Sequence, residues 1–347
     1  VEALQRRRGA ALVLAAVVVA AAAATVATRR SSHAASRSPV KGGGAILVYE
    51  AGDRPSDAAS GQIVRAAVDG SDPVTVADGQ SPALSPDGRW IAFLRYVPSR
   101  RSSDLSVVPS AGGQARPVRL PGGPYVYRLA WSPDSARLVA QTGRGLLVVD
   151  RSDGRVHRLP TPGPAGFGRP SFSPDGLRVA FASGAGGSDV EVATLPAGPI
   201  VRLTGDHHSF APVWGPPGIA YSRECCVRGD IWLMRPDGTQ RHQLTHTEQG
   251  ILPVDWSADG HRLLAVHPGL TRGQVWAVDA TSGEARSLTN AVAGLAALAL
   301  SRDGQRILYA TGCNRHHGDQ GTIEWVPFGG GPSTVLAHAS CRADWDA

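Results

Sequence analysis

Cysteine is scarce in this chain, with four residues in 347 and none before Cys225. Without a cysteine in the N-terminal segment, that segment shows no lipobox. Three motifs of catalysis and phosphate binding are also missing. There is no Gly-x-Ser-x-Gly nucleophile turn, no Gly-x-x-x-x-Gly-Lys phosphate loop and no His-Glu-x-x-His zinc helix. Excess charge of one sign is absent from most of the chain. The formal charge of +6 arises from Arg6, Arg7, Arg8, Arg29, Arg30, Arg37 and Lys41, set against Glu2 alone, which leaves 28 basic and 28 acidic residues for the remainder. A neutral body carries no basic footprint for nucleic acid. Long helices are not expected either, because 42 Gly and 26 Pro favour many short strands joined by turns.

What the chain does contain is a repeated phrase. Around Phe172-Ser173-Pro174-Asp175-Gly176, a short apolar strand runs into a tight turn, and the alternation of Leu177, Val179 and Phe181 starts an antiparallel strand. Pro presets φ in the turn, Asp can bond its own backbone, Gly supplies positive φ and the Ser hydroxyl can hold the entry. Versions recur at Leu84-Ser85-Pro86-Asp87-Gly88, Trp131-Ser132-Pro133-Asp134-Ser135, Trp214-Gly215-Pro216-Pro217-Gly218, Trp256-Ser257-Ala258-Asp259-Gly260 and Leu300-Ser301-Arg302-Asp303-Gly304, spaced by 41 to 47 residues. About four short strands per period in the low forties is the signature of a β-propeller blade.

A second turn in each period counts the blades. Asp69-Gly70, Gly112-Gly113, Asp153-Gly154, Ala197-Gly198, Asp237-Gly238, Ser282-Gly283 and Gly329-Gly330 make seven. The first unit, Ala45 to Ala77, has no innermost strand of its own. Arg342-Ala343-Asp344-Trp345-Asp346-Ala347 matches Pro253-Val254-Asp255-Trp256-Ser257-Ala258, and Asp346 lies 45 residues after Ser301. The fold class expected is therefore all-β: a β-propeller of seven four-stranded blades in which the C-terminal strand closes the N-terminal blade. Six blades with a separate N-terminal hairpin is the alternative. The large residues before each turn, Trp131, Phe172, Trp214, Trp256 and Trp345, are assigned to packing between blades rather than to a carbohydrate platform.

These residues resemble the TolB-like propeller repeat, in which an aromatic or aliphatic residue precedes Ser-Pro-Asp-Gly and Ile/Val-Ala-Phe/Tyr follows. Trp90-Ile91-Ala92-Phe93 and Val179-Ala180-Phe181-Ala182 match it well, and the resemblance covers about residues 43 to 347. Ser135, Gly215-Pro216-Pro217 and Arg302 depart from it. The family implies a periplasmic or surface interaction module, a gate on a peptidase, or occasionally a lyase. A peptidase would need an α/β-hydrolase domain, for which the propeller leaves no residues in this chain.

Ahead of the propeller, residues 1–28 read as a signal peptide or a transmembrane anchor and residues 29–43 as a flexible linker. The apolar run Ala10 to Ala27 would span ~27 Å as a helix. Either way the propeller, residues 44–347, is expected outside the cytoplasm: membrane-anchored, or secreted or periplasmic after cleavage.

No catalytic residue is assigned, and no cofactor is expected. The loops expected on one face of the ring carry His207, His208, His246, Glu248, His316 and His317, which are ligand types without a recognised ligand spacing. They support a rival reading as a metal-dependent polysaccharide lyase or hydrolase. Of the cysteines, Cys313 and Cys341 are the pair expected to bridge and pin the closure, with Cys225 and Cys226 left as a vicinal bridge or as thiols. The function expected is a non-enzymatic binding scaffold of the cell envelope, monomeric, with a protein or glycan partner on the loop face, membrane contact through the N-terminal segment and no nucleic acid.

Overall fold

A computed structural model describes residues 45–51, 61–161, 166, 168–184, 187–224, 228–269, 272–313, 321–339 and 342–346. The N-terminal apolar segment and linker lie outside the described residues, as do Cys225, Cys226, His316, His317 and Cys341. Among the described residues no helix is long and apolar enough to cross a membrane.

The strands form seven antiparallel sheets, which are the blades of a propeller. From the channel outward, the second blade is Gln80–Leu84, Trp90–Val97, Ser102–Pro109 and Arg116–Val118, and the third is Val126–Trp131, Arg137–Thr142, Gly145–Asp150 and Val156–Arg158. The fourth is Ser171–Phe172, Arg178–Ser183, Asp189–Thr194 and Ile200–Arg202, and the fifth is Ser209–Gly215, Gly218–Arg223, Asp230–Met234 and His242–Gln243. The sixth is Leu252–Trp256, Arg262–His267, Arg272–Asp279 and Ala285–Ser287, and the seventh is Ala296–Leu300, Arg306–Thr311, Gly321–Pro327 and Thr334–Ala339. One small strand, Val292–Ala293, was not foreshadowed in the sequence and pairs with Arg272 and Gly273.

The turn chemistry takes the expected form. In the second blade the Ser85 hydroxyl donates to Asp87 at 2.6 Å and accepts the Trp90 amide at 2.9 Å, while Asp87 also accepts the Arg89 amide at 3.1 Å. Ser132, Ser173, Ser257 and Ser301 repeat this pattern with Asp134, Asp175, Asp259 and Asp303. The hydroxyl hydrogen bond from Ser173 and the amide of Leu177 hold the Asp175 carboxyl below the usual carboxylate range. Ser135, which stands where the other turns have Gly, takes φ of 58°, and its hydroxyl accepts the Asp87 amide of the preceding blade at 3.1 Å. The departure from the repeat is thus a contact between blades.

Alternation along the two middle strands builds the core. In the third blade Leu138, Ala140, Leu147 and Val149 pack toward the second blade, whereas Val139, Leu146 and Val148 pack toward the fourth. Seven apolar clusters result, each shared by two consecutive blades. Each fully buried aliphatic side chain contributes about 1.5–3 kcal/mol. The large residue before the turn faces the preceding blade: Trp256 joins Ala220 and Ile231, and Trp214 joins Ala180 and Val190. The packing assignment of these aromatics therefore holds at Trp131, Phe172, Trp214 and Trp256.

The first blade is completed by the C-terminus. Ala343–Asp346 pairs antiparallel with Ile46–Ala51, which continues to Gln62–Ala67 and Val74–Asp78. The pairing sets Leu47 opposite Trp345 and Tyr49 opposite Ala343, and the Glu50 amide donates to the Arg342 carbonyl at 2.9 Å. Deleting residues 342–347 is expected to lower unfolding stability in denaturant by at least ~3 kcal/mol, since several ladder bonds and the packing of Ala343 on the Leu47 cluster are lost together. An unchanged midpoint would show that closure does not rest on this strand.

Candidate functional site at the channel mouth

Connections from second to third strand, and from one blade to the next, leave each blade at the same end. The expected ligand residues on this face can now be placed. His207 and Glu248 occupy the same corner in consecutive blades, with φ of 58° and 52°. The backbone amide of each donates to a buried carboxylate at the start of the third strand, His207 to Asp189 at 3.0 Å and Glu248 to Asp230 at 3.1 Å. The Thr204 and Thr245 hydroxyls cap the same two carboxylates at 3.1 and 2.8 Å. The His207 ring also turns back, with Nδ1 at 3.0 Å from Asp189. These carboxylates hold a loop. His208, His246 and the Glu248 residue as a whole are exposed, and among the described residues no three His, Cys, Asp or Glu side chains converge as a metal site.

What the structure gathers instead is a tyrosine group that the sequence reading missed. Tyr96, near the end of the second blade's second strand, lies edge-on to Tyr125 with ring centres 5.7 Å apart, and Tyr125 lies edge-on to Tyr127 at 5.1 Å. Tyr125 and Tyr127 are 43% and 57% exposed, whereas Val126 between them is 2% exposed. A bulge explains the outward turn. Val126 pairs with Thr142 and Arg128 with Gln141, so Tyr127 is the extra residue with no partner in the ladder. A β-carbon on Gly143 would stand 3.3 Å from the Tyr127 hydroxyl, so Gly143 leaves the ring its room. The Arg144 guanidinium borders the same loops near Gly122.

Below the mouth, the innermost strands carry charge. Asp255 accepts the Leu300 amide at 3.1 Å and its neighbour Trp256 at 2.9 Å. Asp344 likewise accepts the Leu84 amide at 3.0 Å. Burial pushes the Asp255 carboxyl up to about 6, against the two amides and the positive charge of Arg169, with Asp344 adding to the rise. Asp255 thus keeps its proton in the native state where the unfolded chain, at the ordinary value of 3.8, has released it. Its contribution to stability is complete below pH 3.8 and is lost as pH rises through about 6. Relative to Asp255→Asn, the native protein is expected to lose ~2 kcal/mol of unfolding free energy over that interval. Denaturant titrations of both proteins at pH 4 and pH 7 check this, and an identical difference at both would refute it.

No family model and no curated protein matches the chain. Among solved structures the chain is similar to TolB from Acinetobacter baumannii, with 18% identity, 86% of this chain and 81% of that one covered, and a TM-score of 0.56. An oligogalacturonate lyase in complex with manganese gives 16% identity, 84% and 85% coverage and 0.60. A puromycin-hydrolysing peptidase of Mycobacterium tuberculosis gives 16%, 85% and 52%, and 0.63, so this chain spans about half of that enzyme. At such identities the likeness is one of fold: the chain shares a β-propeller fold with TolB, with lyases and with peptidase propellers.

Proposed function

We propose that this protein is a non-enzymatic binding module of the cell envelope that docks a protein partner on the loop-bearing face of its propeller. The observation that carries the reading is the group of exposed Tyr125 and Tyr127 with half-buried Tyr96 at the channel mouth. Tyrosines offer rigid, amphipathic contact area at low entropic cost and are enriched where proteins meet. Exported or anchored through residues 1–28, and tethered by residues 29–43, the propeller acts outside the cytoplasm as a monomer.

The test is capture from an envelope extract by the full chain and by a Tyr125→Ser/Tyr127→Ser variant. The native protein should retain a discrete protein partner. The variant should lose at least tenfold of that capture while unfolding at the same denaturant midpoint, since both side chains are exposed. Equal capture by the two proteins, or retention of glycan alone, would refute the reading.

A bridge between Cys313 and Cys341 belongs to the same extracytoplasmic reading. Two observations support it: Cys313 is engaged in a disulfide, and Arg342, beside Cys341, is bonded through its carbonyl to Glu50 in the closing strand pair. Peptide mapping without reductant should recover Cys313 and Cys341 in one linked fragment. Recovery of both as free thiols would remove this pairing.

A further inference from the structure

A second feature lies away from the channel mouth, where the sixth and seventh blades part to leave a cleft of about 250 Å³. One wall is built around Glu324 in the seventh blade's third strand, directly opposite Tyr309 in the second strand. Glu324 receives three hydroxyl hydrogens. Tyr309 and Ser333 donate to Oε2 at 3.0 and 2.7 Å, and Thr311 donates to Oε1 at 3.3 Å. Tyr309 is 3% exposed, and burial pushes its hydroxyl up to about 12, so it stays a donor at any physiological pH. With their hydrogens committed to the carboxylate, the hydroxyl oxygens have only lone pairs left to offer. The rest of the cleft is partly apolar, lined by Leu288, Val292 and Val326.

The fourth blade provides an internal comparison. Glu191 lies opposite Phe181 there, in the place that Glu324 holds opposite Tyr309. Glu191 is enclosed, 4% exposed, and Arg202 stands across from it in the outer strand. The outer-strand residue across from Glu324 is Val335. The cation built into the fourth blade is therefore absent from the seventh, and no cationic side chain appears among the described residues lining the cleft.

We propose that this cleft is a binding site for a small organic cation, specifically an alkylammonium group, with its nitrogen on Glu324 and its aliphatic part against Leu288, Val292 and Val326. A carboxylate in a half-enclosed site gains most from a charge that also brings N–H donors, because the surrounding oxygens are acceptors. A bare inorganic cation would satisfy the carboxylate but leave the apolar wall unused. The site is separate from the tyrosine group and stands or falls independently of it.

The experiment is calorimetric titration of the full chain, in mild detergent, with n-butylammonium chloride. Sodium chloride at equal ionic strength and sodium butyrate serve as controls. Saturable one-to-one binding of butylammonium is expected, with no signal from butyrate and affinity falling about fourfold for each methylene removed toward methylammonium. Glu324→Gln should weaken binding at least tenfold. Ser333→Ala, at an exposed position, should weaken it several-fold and keeps the test decisive if Glu324→Gln does not fold. Absence of saturable binding, equal affinity in a folded Glu324→Gln or Ser333→Ala protein, or an equal response to sodium ion would overturn the proposal.

Discussion

The structure depends on four residues of main chain. When Ala343–Asp346 pairs with Ile46–Ala51, the last strand of the sequence becomes the innermost strand of the first blade, and the ring has no unpaired inner edge. The same segment reaches both neighbours. Ala343 packs against the apolar cluster that Leu47 and Tyr49 share with Ala299 and Leu308 of the seventh blade, while Asp344 takes an amide from the second. Arg342 adds bonds to Ser81 and Glu50, and Glu50 itself accepts the Ser81 amide at 3.1 Å. Three blades are thereby joined by one short stretch, which makes the closure a property of side chains as well as of the ladder.

Around the ring, one structural position does this work repeatedly with different chemistry. Two residues before the turn's Ser, Asp255, Asp344 and Ser171 each accept the amide of the residue before the turn in the next blade. Elsewhere an indole takes the place of the main-chain amide as donor to the preceding blade. The Trp131 and Trp256 indoles donate to the carbonyls of Ala83 and Val213 in the preceding blade at 2.9 and 3.1 Å. The aromatic residue and its neighbour thus serve as a joint, combining burial with one directed hydrogen bond.

The fold was readable because each blade repeats a local solution that leaves a mark in sequence. The Ser and Asp of the turn are needed for hydrogen bonds, Gly for its φ, and the alternation for two packing faces. Even the closure was readable, since Asp344-Trp345 repeats Asp255-Trp256. The functional face was far less so. Tyr96 and Tyr125 meet only through the register of two blades, and Tyr127 turns outward because of a bulge that no residue pattern announces. Glu324 gains its hydroxyl partners from three different strand positions. Conversely, His207 and Glu248 drew attention by residue type, yet they occupy equivalent loop corners set by Asp189 and Asp230. Repetition records scaffolding, whereas a site arises where one blade differs from the others.

One such difference sits at the junction of the third and fourth blades. Phe172 occupies the place of tryptophan and has no side-chain N–H to donate, and Ala130 occupies the place of Asp255 or Ser171 and has no side-chain acceptor. At the inner ring Phe172 meets Val139 and Leu146 by apolar contact, and directed bonds between the two blades run instead through Gly166, whose carbonyl accepts from the Gln141 side-chain amide at 3.0 Å and whose own amide donates to the Ala182 carbonyl at 2.6 Å. Apolar contact resists separation but not sliding, because it has no preferred direction. The register of these two blades therefore rests on their linker at Gly166 rather than on their innermost strands, next to the blade that carries Tyr125 and Tyr127.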